Sequence, residues 1–168
     1  MSIRLKDYGV RTLTAAALVL AASSAYCQQA NPFTRFGGNW LGSGLIYLSN
    51  GSKERIRCRG GFTPADMLNI VSLKLELRCA GDSYNFELMS ELNYDSGAIS
   101  GTWSEMSRGV NGKVTGTIDG DQIKAVAESQ TFTATLELIS LGDKQQVRIT
   151  SPGSEMTDVL IGLNRSAK

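Results

Sequence analysis

Residues 111–150 read NGKVTGTIDGDQIKAVAESQTFTATLELISLGDKQQVRIT. Polar pairs at Asp119-Gly120, Ser129-Gln130 and Gly142-Asp143 interrupt runs in which apolar and polar residues alternate. Alternation of this kind is the signature of a strand with one buried face. If each pair is a two-residue hairpin loop, Gly116 lands opposite Ile123, Ala125 opposite Ala134, and Leu136 opposite Ile149. The same reading extends backwards: a loop at Asp95-Ser96 sets Leu92 against Ile99, and one at Gly81-Asp82 sets Leu77 against Phe86. A slip of one residue at any loop exchanges the buried and wet faces, yet all five loops agree. The expectation is an all-β, antiparallel up-and-down meander with one continuous apolar face.

Ten strands are expected, near 39–48, 52–59, 70–79, 83–94, 97–105, 112–118, 121–128, 131–141, 144–150 and 158–164. Ser49-Asn50-Gly51 fits a three-residue loop with Gly51 left-handed. That choice places Trp40, Gly42, Gly44 and Ile46 on the face of Ile56 and Cys58; the rival register would place Leu41, Leu45 and Tyr47 there. Asn50-Gly51-Ser52 is also a glycosylation sequon, though the tight turn is the simpler reading. Pro64-Ala65-Asp66 is read as a short helical turn inside a loop near 60–69. A ten-strand meander buries its apolar face by folding into two packed sheets or by closing. Closure is favoured, because it alone removes both exposed edges.

The first residues have the marks of an export signal. Arg4, Lys6 and Arg11 precede an alanine-rich apolar run, Leu13 to Ala22, and the small residues Ser23, Ser24 and Ala25. The run is short for a bilayer span, and cleavage near Ala25 or Cys27 is expected. A lipid anchor on Cys27 is disfavoured because Tyr26 is not small. Residues 1–27 are thus read as a signal peptide, 28–37 as an N-terminal tail and 38–168 as a single barrel domain, in the periplasm or secreted.

Removing residues 1–27 takes three of the 17 basic and one of the 16 acidic residues, leaving a net charge of −1. Near neutrality argues against a nucleic-acid partner. The face opposite the apolar one carries Arg55, Arg57, Arg59, Lys74, Glu76, Arg78, Glu87 and Glu91, which a lipid-facing barrel wall would not tolerate. No membrane span is expected.

Cys58 and Cys79 remain after cleavage, both in phase with the apolar face. In an oxidising compartment such a pair reads as a disulfide, worth about 3 kcal/mol in the chain-entropy description. The absence of CxxC spacing and of any histidine weighs against zinc or redox roles. No metal or other cofactor is expected.

Gly38-Asn39-Trp40 opens the first strand, Arg165 ends the last, and Gly101-Thr102-Trp103 repeats the first tripeptide. This pairing resembles the calycins, the group of lipocalins, fatty-acid-binding proteins and avidin-like barrels. The resemblance implies that Trp40 plugs one barrel end and that Arg165 covers it through a cation–π contact. The chain departs from the lipocalin pattern in having ten strands and no closing helix before the last segment. It is also similar to small exported alphaproteobacterial proteins of unknown function, which implies a periplasmic home and no assigned activity.

With no histidine, Ser-His-Asp and Cys-His catalysis are excluded. Glu54 and Glu105 lie in phase with the inner face and are the acids a glycoside hydrolase would need; the simpler reading is that both are wet strand ends. Arg55, Arg57 and Arg59 are an outward stripe, read as a solvated face interleaved with Glu76 and Glu87 or as a site for an anionic partner. Inward small residues (Ser90, Gly101, Gly116, Ala125, Ala127, Ala134) beside aromatics suggest either an apolar cavity or a tightly filled barrel. The leading functional expectation is a non-catalytic barrel binding a small apolar ligand, lined by Trp40, Tyr84, Phe86, Trp103 and Phe132. The alternatives are an interaction or inhibitor protein acting through loops or the arginine stripe, and, third, a small carbohydrate-active hydrolase.

Overall fold

The computed structural model describes residues 30–68 and 70–167. The signal-peptide and cleavage readings fall outside these residues. Ten strands follow in order: β1 (Gly38–Leu48), β2 (Lys53–Met67), β3 (Ile70–Ala80), β4 (Asn85–Asp95), β5 (Ala98–Glu105), β6 (Val110–Asp119), β7 (Gln122–Glu128), β8 (Thr133–Leu141), β9 (Lys144–Thr150) and β10 (Met156–Arg165). Each pairs antiparallel with its neighbour in sequence, and β1 pairs with β10. The sheet is a closed up-and-down barrel, not a sandwich, and closure pairs the first strand with the last.

Alternation set the faces, and the loops set the register. Leu136 does stand opposite Ile149 across Gly142-Asp143. In the other four hairpins the register moves by two positions: Cys79 meets Phe86, Leu92 meets Gly101, Ile118 meets Ile123, and Ala127 meets Ala134. A shift of two leaves every side chain on its expected face. The causes are local. Ser96 (φ +51°) and Gly97 (φ +93°) supply the paired left-handed residues that a tight hairpin requires, so the loop is Ser96-Gly97 rather than Asp95-Ser96. The remaining shifts come from Gly120-Asp121 and from two four-residue loops, 81–84 and 129–132. The three-residue β1–β2 loop forms with Gly51 left-handed at φ +84°, and Trp40, Gly42, Gly44 and Ile46 share the face of Ile56 and Cys58.

β2 is longer than expected. Pro64, Ala65 and Asp66 are not a helical turn; they pair with Leu73, Ser72 and Val71. Proline is tolerated because β1 begins at Gly38, opposite Phe62, so beyond that point β2 has a strand on one side only. Cys58 and Cys79 stand directly opposite one another, 4.2 Å apart at Cα, and form a disulfide across β2 and β3. Such a bond suits an oxidising, non-cytoplasmic compartment.

The stretch expected as a tail carries a 3₁₀ helix, Pro32–Phe36, capped by the Asn31 side chain. Phe33 and Phe36 are fully buried in the barrel core. This helix is a plug. It closes the end at which β1 begins, and Phe33 meets Tyr94 there edge to face.

Candidate functional site at the wide-looped end

The barrel's two ends are built differently. At the plugged end the strands are joined by two-residue connections: 68–69, 96–97, 120–121 and 142–143. At the other end the strand bounds leave four residues between Leu48 and Lys53, Ala80 and Asn85, Glu105 and Val110, and Glu128 and Thr133, and five between Thr150 and Met156. The first of these connections is the three-residue loop 49–51, with the Ser52 carbonyl bonded back to the Leu48 N–H.

The plug is held by barrel side chains that take up its last carbonyls. Ser140 donates to Arg35 O at 3.0 Å; Trp40 Nε1 and Gln145 Nε2 donate to Phe36 O at 3.1 and 3.0 Å; Arg165 donates to Gly37 O at 2.6 Å. The Arg165 guanidinium also lies 4.3 Å over the Trp40 ring and pairs with Asp143. Gly38 sits at φ +130°, and a Cβ there would collide with the Arg165 guanidinium. The tripeptide therefore has a mechanical meaning: glycine admits the arginine that covers the tryptophan. Trp40 is fully buried at this end. It does not face the aromatics expected to share a ligand site with it.

Those aromatics gather at the wide-looped end. Tyr84 and Phe132 are not in strands but close their four-residue loops in the same way, each accepting at its carbonyl the N–H of the loop's first residue, Gly81 or Ser129. Trp103 lies edge-on to Phe132 with ring centroids 5.7 Å apart, and Phe86 is buried nearby on β4. Around them Leu48, Leu88, Val110, Ile149 and Met156 are only partly buried. The rim is apolar and incompletely covered. Ser151, at the end of β9, contributes a buried hydroxyl without a hydrogen-bond partner among the described residues.

The inward glycines have a different role from the one expected. A Cβ at Gly101 or Gly116 would run into the carbonyl of Glu91 or Lys124 on the neighbouring strand, and one at Gly112 into that of Glu128. These glycines mark places where the wall bends and backbones approach closely; they vacate no interior volume. The Glu128 carbonyl instead accepts the Trp103 indole N–H at 3.2 Å. The mid-barrel is filled by Ile56, Leu75, Leu77, Leu92, Ile99 and Leu138, all nearly inaccessible. The small residues nearest the rim are Ala127, partly buried, and Ala134, buried.

Glu54 and Glu105 both stand at this end, and both are occupied. Glu54 accepts the N–H groups of Ser83 and Tyr84 at 2.8 and 3.1 Å, and the Ser83 contact chiefly holds its carboxyl below the usual range. For Glu105, burial pushes the pKa up, but the N–H groups of Glu87, Ser107 and Arg108 outweigh it and the net shift is downward. A general acid needs the opposite shift. These carboxylates staple loops. Tyr84 donates its hydroxyl to Glu155 at 2.7 Å, which raises its pKa. Among the described residues no group of three or more histidine, cysteine, aspartate or glutamate side chains is placed to hold a metal, and no helix is long and apolar enough to cross a membrane.

No family model matches the sequence, and no curated protein matches it. Solved structures do. Rv2717c from M. tuberculosis is similar with a TM-score of 0.60 at 14% identity, over 80% of this chain and 95% of that one. The S-type phycobiliprotein lyase CPES from Guillardia theta is similar with a TM-score of 0.58 at 13% identity, over 81% and 91%. The likeness is one of fold. At these identities it carries no residue of a site across, and the geometry of this chain has to argue its own function.

Proposed function

We propose that this chain is an exported, non-catalytic barrel that binds a small apolar molecule at its wide-looped end. The observation that carries the reading is the contrast in cover. Phe33, Phe36 and Trp40 are fully buried at one end, where Val71 and Tyr94 are the partly buried core residues, while at the other Leu48, Leu88, Val110, Phe132, Ile149 and Met156 form a larger apolar ring left partly open to solvent. Apolar lining with few polar groups is the usual character of a small-molecule site. Trp103 and Phe132 form its aromatic wall, Tyr84 and Phe86 its lip, and the unpartnered Ser151 hydroxyl offers one polar contact. The carboxylates there are committed to backbone donors, which leaves binding rather than acid–base chemistry. A protein of similar fold is named for its action on phycobiliproteins, so the scaffold has served elsewhere in a protein with a substrate.

An environment-sensitive apolar dye tests this. The purified protein should enhance its emission saturably, and Trp103→Ala should weaken dye binding about ten-fold while far-ultraviolet dichroism still reports a folded barrel. Absence of a dye signal, together with native mass spectrometry showing no cargo on protein taken from its own host, would remove the reading.

A further inference from the structure

Over most of the outer wall, cations are neutralised by register. Lys74 stands opposite Glu91, Arg78 opposite Glu87, Lys113 opposite Glu128, and both Lys124 and Arg148 opposite Glu137. Arg78 reaches Glu87 at 2.8 Å, and Arg148 additionally holds Asp158 at 2.7 Å. β2 breaks this rule. Arg55 faces Leu45, Arg57 faces Ser43 and Ala80, and Arg59 faces Leu41 on one side and Arg78 on the other. Glu76, expected to interleave with the stripe, instead stands opposite Gly61 and pairs with Lys74. Among the described residues none of the three arginines has a hydrogen-bond or ion-pair partner. Lys53 extends the row in the same phase, and all four cations are exposed.

The wall beside the row is not smooth. A depression of about 300 Å³ lies between Leu41, Arg59, Gly61 and Arg78, with Glu76, paired to Lys74, on its margin, and another of about 360 Å³ adjoins it at Arg57. Leu41 forms part of both and is 54% exposed. A third, near Arg55, has Asp82 on its margin.

We propose that this face of β1, β2 and β3 docks an extended acidic segment of another protein. Alternate residues of a strand repeat at about 7 Å, so carboxylates at every second position of an extended partner match the arginine row one for one. Guanidinium groups engage carboxylates through paired hydrogen bonds. The depression beside Leu41 and Gly61, one alternate position beyond Arg59, gives an apolar side chain in phase with the carboxylates a seat, which a lipid headgroup surface would leave empty. β2 is paired on both sides at Arg57 and Arg59, and at Arg55 it is paired to β1 and flanked by the end of β3, so no edge is open for strand addition at the row and recognition here runs through side chains.

The test is fluorescence polarisation with a labelled ten-residue peptide carrying glutamate at three successive alternate positions, leucine at the next position in the same phase and serine elsewhere, titrated with the whole protein at low and high salt. The native protein should bind, and added salt should weaken binding. Arg55→Ser/Arg57→Ser/Arg59→Ser should bind about ten-fold more weakly, and Lys113→Ser/Lys124→Ser, on the neutralised wall, should stay within about two-fold of native. If the triple variant loses its β signal, Arg57→Glu alone carries the comparison, with an expected loss of about five-fold. Apolar dye binding should be unchanged in the triple variant, so this site and the rim stand or fall separately. Failure of the native protein to bind, equal binding by the stripe variants, or capture of phosphatidylglycerol vesicles with no binding of the peptide would each overturn the proposal.

Discussion

The two Gly-x-Trp tripeptides sit toward opposite ends of one barrel and have opposite surroundings. Trp40 gives its indole N–H to the plug carbonyl at Phe36, lies under Arg165 and is fully buried. Trp103 gives its indole N–H to the Glu128 carbonyl and packs against Phe132, which is itself only partly covered. The donor and the type of acceptor match; the lid differs. A 3₁₀ helix and four side chains close the first end, whereas four- and five-residue loops frame the second. The lesson is that a closed barrel of this size divides its labour. One end is committed to stability through its buried plug, and the other leaves much of its inward-facing apolar ring in contact with solvent, where loops can carry function.

Truncation at the two ends should therefore have unequal consequences. Trp40→Ala removes a fully buried ring, a hydrogen bond and the Arg165 contact, and should destabilise by about 3–5 kcal/mol, lowering Tm by about 10 °C or more. Phe132→Ala, at the partly exposed rim, should destabilise by about 1 kcal/mol while weakening apolar dye binding. Thermal melts of the two variants side by side check this. Equal losses would mean that the rim is as much core as the plug.

A smaller effect separates the ends by pH. Because the folded carboxyl of Glu105 lies below its unfolded value, its stabilising contribution is complete above the unfolded pKa and is lost as pH falls through the folded one. Glu105→Gln should melt a few degrees lower than native at neutral pH, and the gap should close as the solution is acidified. A gap that persists unchanged at low pH would show that the carboxylate's charge contributes nothing to holding loop 106–109.

What the sequence discloses and what it hides follow from the same physics. Face assignment survives because hydrophobic alternation has period two and the four register errors were all even. Leu77 meets Leu88 rather than Phe86, yet both partners point inward. The errors arose where loop chemistry was read from polarity alone. Gly97 marks the left-handed turn position, and Ser129, whose hydroxyl accepts the N–H groups of Thr131 and Phe132 and whose own N–H pairs with the Phe132 carbonyl, moves the turn to 130–131, which polarity alone does not distinguish from 129–130. The plug is not legible from alternation because Phe33 and Phe36 lie in a stretch without strand periodicity; only their spacing of three matches a helical turn. Of the ligand-lining residues expected, Tyr84, Phe86, Trp103 and Phe132 gather at one end, and Trp40 stands at the other. Strand direction separates them, although both tryptophans follow the same tripeptide. The uncompensated arginines were visible as a stripe, but that Arg78 rather than an acid faces Arg59 depends on a register the sequence does not state.

The contrast between the ends is most directly tested with the two tryptophans as reporters. Trp40→Phe leaves emission from Trp103 alone, and Trp103→Phe leaves emission from Trp40 alone. Titration with a brominated alkyl ligand, which quenches on contact, should saturably quench the Trp103 reporter and leave the Trp40 reporter unchanged. Quenching of both to the same extent, of Trp40 preferentially, or of neither would contradict a barrel sealed at the plug and receptive at the rim.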